Sequence, residues 1–78
     1  MHLEIITPDT KIYKGEVNLV QLPGIDGFFE ILNNHAPLIS ILNKGRVKII
    51  DASKSTKIFN INGGAVEVLK NNIIILAE

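Results

Sequence analysis

Apolar residues in this chain recur at every second position or in short unbroken runs, and nowhere at helical spacing over the length of a helix. That pattern fits strands and excludes an amphipathic helix. Leu3 to Thr7 predicts one strand, followed by a turn at Pro8-Asp9. Lys11 to Leu22 predicts a longer strand, interrupted at Gly15 and bulged near Leu19-Val20, where two adjacent apolar residues break the alternation. Gly27 to Leu32 and Leu38 to Leu42 predict two short strands. Val47 and Ile49 alternate with Arg46 and Lys48, Ala52 to Ser55 turns the chain, and Lys57 to Ile61 returns it. Val66 and Val68 flank Glu67, and Asn71-Asn72 can supply the positive φ angles of a tight hairpin. The run Ile73 to Ala77 is apolar on both faces, so it is expected to lie at the centre of a sheet. An all-β chain of many short strands indicates a sandwich or a barrel. No linker, repeat or low-complexity stretch divides it, so residues 1–78 are expected to form one domain.

A single domain of this size buries only about 60–65 % of the surface its unfolded chain exposes, so its core is modest. The chain has no cysteine, which excludes disulfides and thiolate metal sites, and with no tryptophan and one tyrosine it lacks stacking platforms for nucleic acid. Net charge is zero, yet the two parts of the chain differ. Up to residue 43, Lys11 and Lys14 stand against Glu4, Asp9, Glu16, Asp26 and Glu30, a net of −3; the remainder is +3. Such a dipole is either a set of solvated strand faces or a steered docking surface. Met1-His2-Leu3-Glu4 lacks the basic start and apolar run of a signal peptide, and the longest apolar run is far too short to cross a bilayer as a helix.

Catalytic chemistry has little to draw on. His2 is at a terminus and His35 sits in a loop bounded by proline; a general base needs a nucleophile and an orienting partner, and no such set is legible. Gly24 and Gly27 lie between strands without a following helix, so they read as turn glycines and not as a phosphate loop. No metal-ligand spacing, cofactor motif or nucleophile turn is present in the sequence. Phe28 and Phe29 are adjacent on a strand and must point to opposite faces, one into the core and one outward or against a partner. Lys54, at the tip of a predicted hairpin, admits an alternative in which the chain is a lipoyl- or biotinyl-type carrier modified at that lysine.

Three segments carry a more specific signal. The first is Pro23-Gly24-Ile25-Asp26-Gly27-Phe28-Phe29-Glu30-Ile31-Leu32-Asn33-Asn34-His35-Ala36-Pro37-Leu38, the second Asn62-Gly63-Gly64-Ala65-Val66-Glu67-Val68, the third Asn71 to Glu78 ending Leu76-Ala77-Glu78. In that order and spacing they resemble the epsilon subunit family of the bacterial rotary ATP synthase, over nearly the whole chain. The resemblance implies a flattened β-sandwich of two mostly antiparallel sheets, with about eight to ten short strands. It implies a non-catalytic rotor subunit in the central stalk, coupling rotation of the c-ring, driven by protons or sodium ions, to the gamma shaft and ATP synthesis. The implied partners are gamma and the c-ring. The implied location is peripheral, on the cytoplasmic face of the bacterial cell membrane through the complex.

Residue by residue, Thr7 and His35 match positions near gamma, and Asp26, Gly27, Phe28 and Glu30 match the loop over the c-ring. The chain departs from the family in that loop. Many members have glutamate where Phe28 stands, glycine where Glu30 stands and proline where Asn33 stands. In longer members two helices follow the last strand, and in some of these they restrain hydrolysis or bind ATP. If the 78 residues are the natural product, neither function is expected here, and no nucleotide or other cofactor is expected to bind.

Overall fold

The computed structural model describes all 78 residues as eight strands without a helix. They are β1 (His2–Ile6), β2 (Lys11–Gly24), β3 (Gly27–Leu32), β4 (Leu38–Leu42), β5 (Gly45–Asp51), β6 (Thr56–Ile61), β7 (Gly64–Leu69) and β8 (Asn72–Ala77). The strands form two layers. In one, the first half of β2 is followed by β1, β8, β7 and β4; in the other, the second half of β2 lies between β3 and β5, with β6 at the edge. β2 belongs to both layers, and its last residue Gly24 pairs with Leu42 of β4, so hydrogen bonding runs continuously from one layer to the other. All neighbouring pairs are antiparallel except β1 and β8, which run parallel, Leu3 opposite Ile73 and Ile5 opposite Ile75.

β2 can serve both layers because its side-chain register changes once along its length. Strict alternation would turn Val17, Leu19 and Gln21 inward together. Instead the pairing with β5 shifts between Val17 and Leu19, and Val17, Val20 and Leu22 are the residues buried. One extra residue, Asn18, moves the inward set by one position, as a β-bulge does. The bulge therefore lies just before the expected Leu19-Val20. Gly15 does not interrupt the strand: it pairs regularly with Leu3. Its missing side chain leaves room for the Tyr13 ring, whose hydroxyl would stand 3.1 Å from a Cβ at that position. The β7–β8 turn is also one residue earlier than Asn71-Asn72. Lys70 and Asn71 take φ of 49° and 63°, and Asn72 already pairs with Leu69.

Between the layers lies a core of fifteen buried apolar residues, with no buried polar or charged side chain. β8 contributes Ile73, Ile75 and Ala77 between β1 and β7, which makes it the central strand expected of a run apolar on both faces. Each large aliphatic side chain removed from water stabilises the fold by about 1.5–3 kcal/mol. At the open side of the core Phe59 packs edge-on against Tyr13, with ring centroids 5.6 Å apart and Lys57 Nζ 5.4 Å from the tyrosine ring. Phe29 is the inward member of the phenylalanine pair, packed on the core, and Phe28 points outward.

Candidate docking surfaces

The outer face of the β4, β7, β8 and β1 layer is built by strict alternation. Inward residues of these strands make the core, so the residues between them must face out. Registers align them into rows. Ile41, Ala65, Leu76 and Ile6 stand side by side across the four strands; the next row is Ile39, Glu67, Ile74 and Glu4. This face is mostly apolar and largely uncovered, with Ile39 77 % exposed and Leu76 55 %. Ala65, small between Ile41 and Leu76, leaves a concavity of about 480 Å³ floored by Ala65 and Val66 and walled by Ile6, Ile39, Ile74 and Leu76. It continues along β4 and β7 toward Pro37 and Leu69. Contiguous apolar surface of this kind marks an interaction site.

Thr7 and His35 lie at opposite corners of this layer. Thr7 follows the last residue of β1 and is tied into the β1–β2 turn: its Oγ1 donates to Thr10 O at 3.0 Å and accepts from Thr10 N at 3.1 Å. His35 lies in the β3–β4 loop beyond the other end of β4. Its Nδ1 donates to Ala36 O at 2.7 Å, which leaves Nε2 free on an exposed ring. The loop is held to the β7–β8 turn: Asn34 N donates to Asn71 Oδ1 at 2.8 Å, and Asn71 Nδ2 donates to Asn33 Oδ1 at 2.8 Å. The two residues are thus not in contact, and the apolar rows run between them.

Asp26, Gly27, Phe28 and Glu30 belong to a second surface, the β2–β3 hairpin. Asp26 is in the tight turn, Gly27 has φ of +123°, and Phe28 and Glu30 point outward from β3, with Phe28 59 % exposed beside an equally open Ile25. Lys54 sits, as expected, at the tip of the β5–β6 hairpin. Its φ is 67°, and Asp51 Oδ1 accepts from the backbone of Ser53 and Ser55 at 2.9 Å each.

The rim of the first layer is charged. Lys11 Nζ donates to Glu4 Oε1 at 2.6 Å, and His2 lies 2.8 Å from Glu16 and 3.5 Å from Glu4. The Lys11 hydrogen bond holds the Glu4 carboxyl below the usual glutamate range, against a smaller opposing effect of partial burial.

The sequence profile of the ATP synthase delta/epsilon chain β-sandwich domain matches residues 1–78. The chain belongs to that family. It is similar to the ATP synthase epsilon chain of Caulobacter vibrioides, 40 % identical over 78 residues, covering all of this chain and 90 % of that one. It is also similar to the epsilon chain of Chlorobium limicola, 43 % identical over 76 residues, covering 97 % of this chain and 86 % of that one. Among solved structures, a chain of the Euglena gracilis mitochondrial ATP synthase assembly of OSCP, F1 and c-ring shares the fold. It has a TM-score of 0.90 at 21 % identity, over 96 % of this chain and 48 % of that chain. A chain of the Tetrahymena thermophila central stalk and c-ring shares it with a TM-score of 0.81 at 20 % identity, over 99 % of this chain and 62 % of that one. Membership of the ATP synthase delta/epsilon family leaves the carrier-domain alternative at Lys54 without support; the lysine is a solvated hairpin-tip residue.

The apolar rows of the first layer were missed by sequence reasoning, which looked for sites in the loops and on β3 and not on the faces of β4, β7 and β8. A signal was available. β8 is apolar at every position from Ile73 to Ala77 and β4 at every position but Ser40, and in a two-layer sandwich only one face of each strand can be covered by the other layer.

Proposed function

We propose that this chain is the epsilon-type subunit of the ATP synthase central stalk, a non-catalytic adaptor that couples c-ring rotation to the gamma shaft. The observation that carries the reading is the exposed apolar face of β4, β7, β8 and β1, bracketed by Thr7 and His35. These are the two residues that match gamma-facing positions in the family. Gamma would cover that face, and the β2–β3 hairpin with Asp26, Gly27, Phe28 and Glu30 would meet the polar loops of the c-ring. Localisation then follows from the complex: the chain is held peripherally at the cytoplasmic side of the membrane by its partners. A hydrogen-bonded sandwich with an apolar interior suits a part that transmits torque, because densely packed interiors deform little under load.

The experiment is removal and restoration. ATP synthase lacking this chain should lose most of its ion-driven ATP synthesis, and adding the chain back should recover it. Nearly full synthesis without the chain would refute the adaptor role.

A further inference from the structure

Glu67 differs from Glu4, the other carboxylate on the apolar face. Its cross-strand neighbours are Ile39 on β4 and Ile74 on β8, its side chain is exposed, and none of the ion pairs of the molecule includes it. Glu4, which stands on the far side of Ile74 in the same row, is held by Lys11 at 2.6 Å and lies 3.5 Å from His2. Of the two carboxylates in the row, one is compensated within the chain and the other is not. A partner lying across the rows would take Glu67 out of water, and a carboxylate covered without a counter-charge loses its hydration with nothing to replace it.

We infer that the partner seated on this face presents a lysine or arginine to Glu67, within a segment otherwise apolar enough to cover Ile39, Ile74 and Leu76. The inference rests on the docking reading above and gives the chemistry of the surface that gamma must bring. It also assigns Glu67 a role in specificity. Apolar contact is non-directional and tolerates sliding. The outward positions of β7 on either side of Glu67 are Ala65 and Leu69, so a partner displaced by two residues along β7 would set its cation on an apolar side chain. Only one placement satisfies the charge, so the ion pair fixes the register that the apolar rows leave loose.

Calorimetric titration of the chain with its cognate gamma subunit, at about 50 mM and about 300 mM NaCl, tests this. The wild-type affinity should weaken at the higher salt. Glu67→Gln should bind about tenfold or more weakly, with most of the salt dependence gone, because the partner's cation is left covered and unpaired. Glu67→Lys should lose about a hundredfold or more, with an unchanged melting temperature, because the side chain makes no contact that the fold requires. Ile39→Gln reads the docking surface separately and should weaken gamma binding whatever Glu67 meets. If Glu67→Gln binds like wild type with the same salt response while Ile39→Gln binds weakly, the ion pair is overturned and the docking surface stands. If all three variants bind like wild type, gamma does not use this face, and both the ion pair and the docking reading are overturned.

Discussion

Two glycines with positive φ provide a controlled comparison of torsional strain with backbone collision. Gly64 opens β7 with φ of +147°, and a Cβ there would be driven into the Leu76 carbonyl oxygen on the paired strand β8. Gly27 opens β3 with φ of +123°, and a Cβ there meets nothing within 4 Å. Alanine at either site carries the penalty of a side chain in a sparsely populated backbone region, about 1–3 kcal/mol. Gly64→Ala carries a second one. To clear the oxygen, β7 and β8 must part at the Gly64 and Ala77 pair, which weakens one or two backbone hydrogen bonds at about 1 kcal/mol each. Strain and collision together cost Gly64→Ala about 2–5 kcal/mol. A domain of this size sits at the low end of the usual 5–15 kcal/mol, or about 5 kcal/mol. Urea denaturation followed by far-ultraviolet circular dichroism should show a lowered midpoint for Gly27→Ala and a still lower one for Gly64→Ala, with about 1–2 kcal/mol less stability than Gly27→Ala. A Gly64→Ala stability within about 0.5 kcal/mol of Gly27→Ala, the usual error of additivity, would refute the collision.

Ile75→Ala removes a fully buried side chain from the middle of the central strand and should cost about 2–5 kcal/mol, read as a lowered melting temperature. Phe28→Asp should leave the melting temperature near wild type and weaken assembly with the c-ring, whereas Phe29→Ala, which empties a position packed on the core, should lower it clearly. Glu4 has its folded pKa depressed by Lys11, so its contribution to stability is present above the unfolded value of about 4.3 and is lost as pH falls through the lower folded value. Thermal scans between neutral pH and about pH 3 should therefore show a decline that is shallower in Lys11→Met, and an identical pH dependence in the two proteins would remove Lys11 as its cause.

Local signals were legible where glycine and proline bound a short alternating run. β3 and β4 occupy the residues expected of them, because Gly27 begins one and Pro37 precedes the other. The bulge and the last hairpin were each misplaced by a single residue. In both cases long-range pairing accompanies the shift: β5 against Val17 and Leu19 in the first, His2 against Asn72 in the second. The parallel union of β1 with β8, which sets the first and last strands side by side, has no local signature at all. The choice between Phe28 and Phe29 could not be read from alternation alone, because it depends on which face of β3 the other layer covers. The sequence could name Thr7 and His35 as positions that match the family, but not how they sit relative to one another. The apolar surface between Thr7 and His35 emerged only when four strands distant in sequence were set in register.

The chain contains no cysteine, so one introduced thiol is unique within it. Leu76→Cys and Phe28→Cys variants, each labelled with a short thiol-linked photo-cross-linker and assembled into the ATP synthase of host membranes, report on the two exposed surfaces separately. Illumination should join the Leu76 position to gamma and the Phe28 position to the c subunit. Adducts from both positions to the catalytic subunits, or to no subunit of the complex, would contradict a sandwich held between shaft and ring.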